Sequence, residues 1–277
     1  LFEHFVLNYN RPKHRKVRNV KRHTTTGGQS RNNYKYCGII QNMMFNFKNK
    51  VVLVTGSARG LGQHIAVAFA KAGANVVLTA RKLDSLKETA SKLEKIDSKF
   101  IKLKLDVTSY EDCENAIKEA TDKFGKIDYL INNASGYLTG WDLRKMSVED
   151  IENEINTTFR SVVFMSKAIL NQFLESTNGT IVNVASGSGL MNSESNSTIY
   201  SADKSAVIRF SERMHKNVSP HGVRVCCVVP CAIRDRDLEK EEAVSFDDVA
   251  QAIMMQCSDG DNLALQTIIL ESKTTKK

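Results

Sequence analysis

Three prolines, six cysteines and one tryptophan in 277 residues already narrow what this chain can be. Only Pro220 and Pro230 lie beyond residue 42, and both fall in connections, so no periodic segment of the body is broken by proline. The cysteines (Cys37, Cys113, Cys226, Cys227, Cys231, Cys257) contain no CxxC pair and are thin for this length. That points away from a disulfide framework or a structural metal site and toward reduced thiols. Cys226 and Cys227 adjoin in an apolar run, so as strand neighbours they face opposite sides. No apolar run approaches the ~20 residues that span a bilayer. Phe2–Leu7 is too short for a signal-peptide core and lacks a small-residue cleavage site. Three of the six histidines lie before residue 42, and no HExxH or comparable ligand cluster occurs, so no catalytic metal is expected.

An excess of charge of one sign is also missing from most of the chain. The formal net charge is +8, from 39 Lys and Arg against 31 Asp and Glu. Residues 1–42 hold nine of the cations (Arg11, Lys13, Arg15, Lys16, Arg18, Lys21, Arg22, Arg31, Lys35) and a single acid, Glu3. The remaining 235 residues carry thirty of each sign and are electrically balanced. This excludes a globally basic nucleic-acid-binding domain. Residues 1–42 read as a basic, disordered leader, or as a mitochondrial transit segment. Met43 or Met44 is an alternative natural start. The body, residues 43–277, is long enough for one substantial core. Its expected location is cytoplasmic, or mitochondrial if the leader is a targeting segment.

From Phe47 onward, short β-branched runs alternate with longer segments of helical period. Strands are expected at Val51–Thr55, Asn75–Thr79, Phe100–Leu105, Tyr129–Asn132, Thr180–Ala185, Val223–Val229 and Thr267–Leu270. Helices are expected at Leu61–Ala72, Leu83–Ile96, Tyr110–Phe124, Ser147–Leu174, Tyr200–Val218 and Phe246–Gln256. Runs such as Val51–Val54 are apolar throughout, which suits parallel strands buried on both faces. The pattern predicts an α/β fold, a doubly wound parallel sheet of about seven strands with helices on both faces.

The first strand runs into Thr55-Gly56-Ser57-Ala58-Arg59-Gly60-Leu61-Gly62 and then an apolar helix. Glycines there let the backbone turn tightly and approach a pyrophosphate at the helix N-terminus, where free N–H groups and the macrodipole favour negative charge. The second strand ends at Ala80-Arg81. An acid at that place would hold a ribose 2′-hydroxyl; Arg81, with Arg59 in the glycine turn, fits a 2′-phosphate and hence NADP(H). Asp106-Val107 closes the third strand beside the expected adenine. Asn132-Asn133-Ala134-Ser135 closes the fourth, where the asparagines can bond neighbouring strands and hold the cofactor wall.

At the other end, Tyr200 and Lys204 are i and i+4 on one helical face. A free tyrosine titrates near ~10, and a nearby ammonium lowers that value toward general acid–base range. Ser186, at the end of the fifth strand, is placed to hydrogen-bond a substrate carbonyl, with Ser188 close by. Asp203 adjoins Lys204, and since neighbouring helical residues point apart, it is expected to be solvated. The run Arg234–Glu242 is highly charged and reads as a solvated, mobile flap, with a clamp for a polar substrate as the alternative. Asp247-Asp248 read as a helix cap.

Taken in order, these residues resemble the short-chain dehydrogenase/reductase family from about Phe47 to Leu270. The marks are TGxxxGxG at Thr55–Gly62, Asp106, NNA at Asn132–Ala134, Asn156, Ser186 and YxxxK at Tyr200–Lys204. The resemblance implies that Tyr200 gives its proton to a carbonyl oxygen and that Lys204 lowers the tyrosine pKa and holds the nicotinamide ribose. Ser186 would orient the carbonyl, Asn156 would anchor a relay water, and Pro230 and Ile233 would border the nicotinamide. Ser135 and Cys231 stand where the family usually has glycine, and the Ser186-to-Tyr200 interval is one longer than is commonest. The implied activity is NADPH-dependent reduction of a small or medium carbonyl compound, or the reverse oxidation, in a homodimer or homotetramer. A cofactor-binding scaffold with little catalysis is the alternative.

Overall fold

The computed structural model describes residues 45–136, 142–190, 197–234, 243–258 and 265–272. The expected leader and residues 235–242 of the charged run lie outside them. In chain order the strands are β1 (Val51–Val54), β2 (Asn75–Ala80), β3 (Phe100–Lys104), β4 (Tyr129–Asn132), β5 (Gly179–Val184), β6 (Val223–Pro230), β7 (Ile233–Arg234), β8 (Val244–Ser245) and β9 (Thr267–Leu270). The helices are α1 (Gly60–Lys71), α2 (Lys87–Glu94), α3 (Tyr110–Phe124), α4 (Val148–Ile155), α5 (Ser161–Glu175), α6 (Thr198–Val218) and α7 (Phe246–Cys257).

Seven strands form one sheet in the order β3-β2-β1-β4-β5-β6-β9, and every pairing is parallel. Successive strands step outward from β1 in one direction and from β4 in the other. The reversal between them opens a crevice at the carboxyl ends, the place where open α/β sheets bind ligands. Val52, Leu53 and Val54 are fully buried because both faces of the sheet are covered. Ile65, Phe69, Val249 and Ile253 pack on one face; Ile117, Met165, Ile169 and Phe173 pack on the other. Cys226 joins the first of these clusters, and Cys227 joins a third with Val207 and Val229, so the neighbouring thiols do face opposite ways. Burial pushes both thiols up to about 12.

Three local features depart from the periodicity. The helix expected over Ser147–Leu174 is two helices, α4 and α5, joined by a π-turn at Asn156–Arg160. Ser161 N–H reaches back five residues to Asn156 O, while Ser161 Oγ donates to Thr157 O at 2.6 Å. That hydroxyl competes for a carbonyl of the ladder and favours the wider turn. The segment expected to be helical from Leu83 opens as a 3-10 turn, Leu83–Leu86. The β7–β8 pair was not legible, since two-residue strands carry no period.

Asp248 caps α7 in a box with Ser245. Asp247 Oδ1 lies 2.9 Å from His64 Nδ1 and ties α7 to α1. Among the described residues, no helix is long and apolar enough to cross a membrane.

Candidate active site

The glycine turn sits at the carboxyl end of β1, and its glycines have different tasks. A Cβ on Gly62 would lie 2.3 Å from Gly56 O and 2.5 Å from Asn133 Nδ2, so only glycine lets α1 start against the turn. Gly60, at φ +56°, opens α1 with nothing within 4 Å of a would-be Cβ, leaving space before the helix N-terminus. Arg59, extended at the N-cap, and Arg81, just past β2, are both exposed at this end of the sheet. Among the described residues neither has an ion-pair partner. An anionic nicotinamide cofactor therefore fits the residues present: a glycine turn open at Gly60, a helix N-terminus and two exposed cations.

Thr55 and Ser57, in the turn expected to hold the cofactor, point their side chains inward. Thr55 is 1% exposed; its Oγ1 accepts Asn133 N–H at 2.9 Å and Ala134 N–H at 3.0 Å. Ser57 Oγ accepts Thr79 N–H at 2.9 Å. Asn133 Nδ2 donates to Thr55 O at 2.9 Å, and Asn132 Nδ2 donates across the sheet to Asn183 Oδ1, also at 2.9 Å. These groups lock the β1 and β4 loops together and shape the crevice through backbone rather than side chain. Asp106 Oδ1 accepts from Thr108 N–H and Thr108 Oγ1, which fixes the loop that carries Val107 beyond β3.

On the far side of the crevice, Ser186 follows β5 and caps the short turn Gly187–Gly189, its Oγ accepting Ser188 N–H at 3.2 Å. That turn presses on α6. A Cβ on Gly189 would lie 2.6 Å from the carbonyl carbon of Lys204, and Ser205 Oγ donates to Gly189 O at 2.7 Å. The strand end carrying Ser186 is thereby brought against the helix carrying Tyr200 and Lys204. Lys204 is 3% exposed, its Nζ donates to Val184 O at 2.9 Å, and it lies 5.5 Å from the Tyr200 ring centroid. Burial pushes the ammonium down to about 8. Asn156 opens the π-turn with Oδ1 accepting from Arg160 at 3.1 Å. Pro230 ends β6, and Ile233 is exposed in β7.

A family model described as short chain dehydrogenase matches residues 50–243. The chain belongs to that family. It is similar to an uncharacterized oxidoreductase of Staphylococcus aureus strain MRSA252, with 34% identity over 182 residues, 66% of this chain and 77% of that protein. It is also similar to the ketoacyl reductase HetN of Nostoc sp. strain PCC 7120, with 31% identity over 202 residues, 73% of this chain and 70% of that one. A crystal structure of a metagenomic short-chain oxidoreductase in complex with NADP shares the fold at TM-score 0.73 and 22% identity, covering 83% of this chain and 99% of that one. The protein is thus an oxidoreductase of the short-chain dehydrogenase family, with that family's parallel α/β sheet.

Two of the departures from this family's pattern, Ser135 and Cys231, are accommodated. Ser135 Oγ lies 3.2 Å from Thr158 Oγ1. Cys231 packs on Gly187, with its Sγ 3.9 Å from Glu271 Oε1.

Asp203 requires a correction: it is not solvated but 6% exposed. Helix α6 is covered by α4, by the π-turn, by the Gly187–Gly189 turn and by β6, so residues about 100° apart on it are both inside. Burial first, then the charge of Glu154, raises the Asp203 carboxyl to about 6, with Lys204 opposing. The ionised form is thus penalised in the folded state, fully above about pH 6 and not at all below the ordinary value of 3.8. Asp203→Asn is expected to stabilise the domain at pH 7 by about 2 kcal/mol. The gain should shrink between pH 6 and 4 in a urea titration series; a variant less stable than the parent at pH 7 would contradict this burial cost. Glu154, 2% exposed on α4, was missed altogether, because a glutamate among polar residues gives no sequence signal of burial.

Proposed function

We propose that this short-chain dehydrogenase is an NADPH-dependent carbonyl reductase, or the corresponding alcohol dehydrogenase, with Tyr200 as its general acid or base. The observation that carries the reading is Lys204: a buried ammonium held on Val184 O beside the Tyr200 ring. An ammonium in that place stabilises a phenolate and brings tyrosine toward neutral pH. When bound, the nicotinamide supplies the hydride. Tyr200 supplies the proton to the carbonyl oxygen, and Ser186, fixed by its turn, donates a hydrogen bond to the same oxygen as charge develops. Asn156, at the π-turn, completes the set. The catalytic domain is assigned to residues 43–277, and the substrate is a small or medium carbonyl compound.

Arg59 and Arg81 support NADPH over NADH. An arginine–phosphate contact is charge-assisted and bidentate, and its loss is worth about 10- to 100-fold in affinity. Arg81→Ala is therefore expected to weaken NADPH binding by about that factor while leaving NADH binding nearly as it was. Fluorescence titration of the reduced cofactors reads both. An equal loss for the two would refute the phosphate assignment, and failure of the parent protein to bind NADPH at micromolar concentration would refute the cofactor. A panel of ketones, aldehydes and 3-oxoacyl thioesters with NADPH oxidation as readout tests the activity itself.

A further inference from the structure

Asp203 is a buried carboxyl beside the lysine that supports Tyr200, and its burial costs stability. We propose that Asp203 is a positioning residue for the Tyr200–Lys204 couple: whether its carboxyl is ionised sets how strongly Lys204 stabilises the Tyr200 phenolate. The inference rests on the reading of Tyr200 and Lys204 given above.

The geometry has three parts. Asp203 is 94% buried where α6 crosses α4, and its Oδ2 has no hydrogen-bond partner among the described residues. It adjoins Lys204 in sequence, and each influences the charge of the other. Glu154, on α4, is buried too, and its charge is felt at both Asp203 and Lys204. Glu154 is in turn held in place: Thr158 Oγ1 lies 3.3 Å from its Oε1, 3.2 Å from Ser135 Oγ, and accepts Gly136 N–H at 3.2 Å. Hydrogen bonds thus tie Glu154 to the loop after NNA, while Asp203 feels its charge across the helix crossing without a bond to it.

Among the described residues, the other charged or titratable groups around Asp203 are few. From its own helix come Tyr200 and Lys204, and from β6 the Cys227 thiol, which burial keeps neutral up to about 12. The π-turn brings Arg160, exposed and engaged with Asn156. The turn Gly187–Gly189 brings none. An ionised Asp203 sets a negative charge beside the Lys204 cation, and a protonated one does not. Asp203 is the group that can change, since its carboxyl sits near 6. At the pH where a lysine-assisted tyrosine titrates, Asp203 is an anion, and an anion in a buried site raises the pKa of a phenol.

Removing that anion must lower the Tyr200 pKa. The test is a titration of phenolate absorbance in the full chain, with and without NADP+, with Tyr200→Phe as the blank that isolates Tyr200. Asp203→Asn is expected to move the midpoint down by about half to one pH unit. Glu154→Gln should move it in the same direction, and Asp203→Glu should restore the parent value. The high-pH limb of kcat for carbonyl reduction should shift with the phenolate. A merely structural role would change stability and leave the midpoint in place. Coincident midpoints for the parent, Asp203→Asn and Glu154→Gln would overturn the proposal, and Glu154→Gln decides alone if Asp203→Asn does not fold. Because the phenolate is read without turnover, a protein that reduces no carbonyl would sink the proposed function yet still report on Asp203.

Discussion

Tyr200→Phe is expected to lower kcat for carbonyl reduction by about 10²- to 10⁴-fold, the usual contribution of a positioned general acid. The substitution deletes one hydroxyl and keeps the ring that lies 5.5 Å from Lys204 Nζ, so packing on α6 changes little. NADPH affinity should stay nearly constant, because the glycine turn, Arg59 and Arg81 lie at the other end of the crevice. The pH dependence sharpens the test. Reduction needs the protonated phenol, so the parent rate falls as pH rises through the Tyr200 pKa, and the reverse oxidation falls as pH drops through it. Residual turnover in the variant should lose that dependence. Stopped-flow measurement of NADPH oxidation across pH gives both numbers, and a variant with near-parental kcat would remove Tyr200 from the reaction.

The second large effect is expected at Gly62. An alanine Cβ there meets Gly56 O at 2.3 Å and Asn133 Nδ2 at 2.5 Å. Neither neighbour can yield cheaply: one is backbone, and the other donates to Thr55 O at 2.9 Å. Either α1 withdraws from the turn or Asn133 gives up its bonds, and both outcomes open the cradle. Gly62→Ala should cost about 2–3 kcal/mol, roughly 4–12 °C in Tm for a domain of this size, and should weaken NADPH binding as well. Gly60→Ala is the informative comparison. Its Cβ meets nothing within 4 Å, so only the left-handed φ of +56° is strained. That costs about 1–2 kcal/mol, and thermal melts of the two variants should rank them in this order. The reverse order would mean that α1 does not pack on the turn as described.

Much of the fold was legible because parallel strands buried on both faces must be apolar throughout. Val51–Val54 and Val223–Val229 show this directly, and the strand limits expected from such runs agree with the structure to within a residue or so. The glycine turn and the Tyr200–Lys204 spacing were legible for a different reason: each is local, set by residues within one turn of the chain. The inward roles of Thr55 and Ser57 were not legible, since a hydroxyl beside a glycine turn can face ligand or neighbour with equal ease. Their partners, Asn133 and Thr79, are distant in sequence. The π-turn at Asn156 was likewise hidden, because its apolar positions keep a helical period and only the hydrogen-bond ladder widens.

By itself, then, the sequence determined the class of sheet, the order of its elements, the glycine cradle and the Tyr200–Lys204 couple, all written in short-range pattern. The tertiary structure alone decided the electrostatic setting of that couple. A helical period states which direction a residue points, not how much of the circumference its neighbours cover. Elements from both sides pack on α6, β6 and α4 among them, and this puts Asp203 inside with Lys204 and brings Glu154 up to them from another helix. The charge beside Tyr200 is therefore a property of the packing.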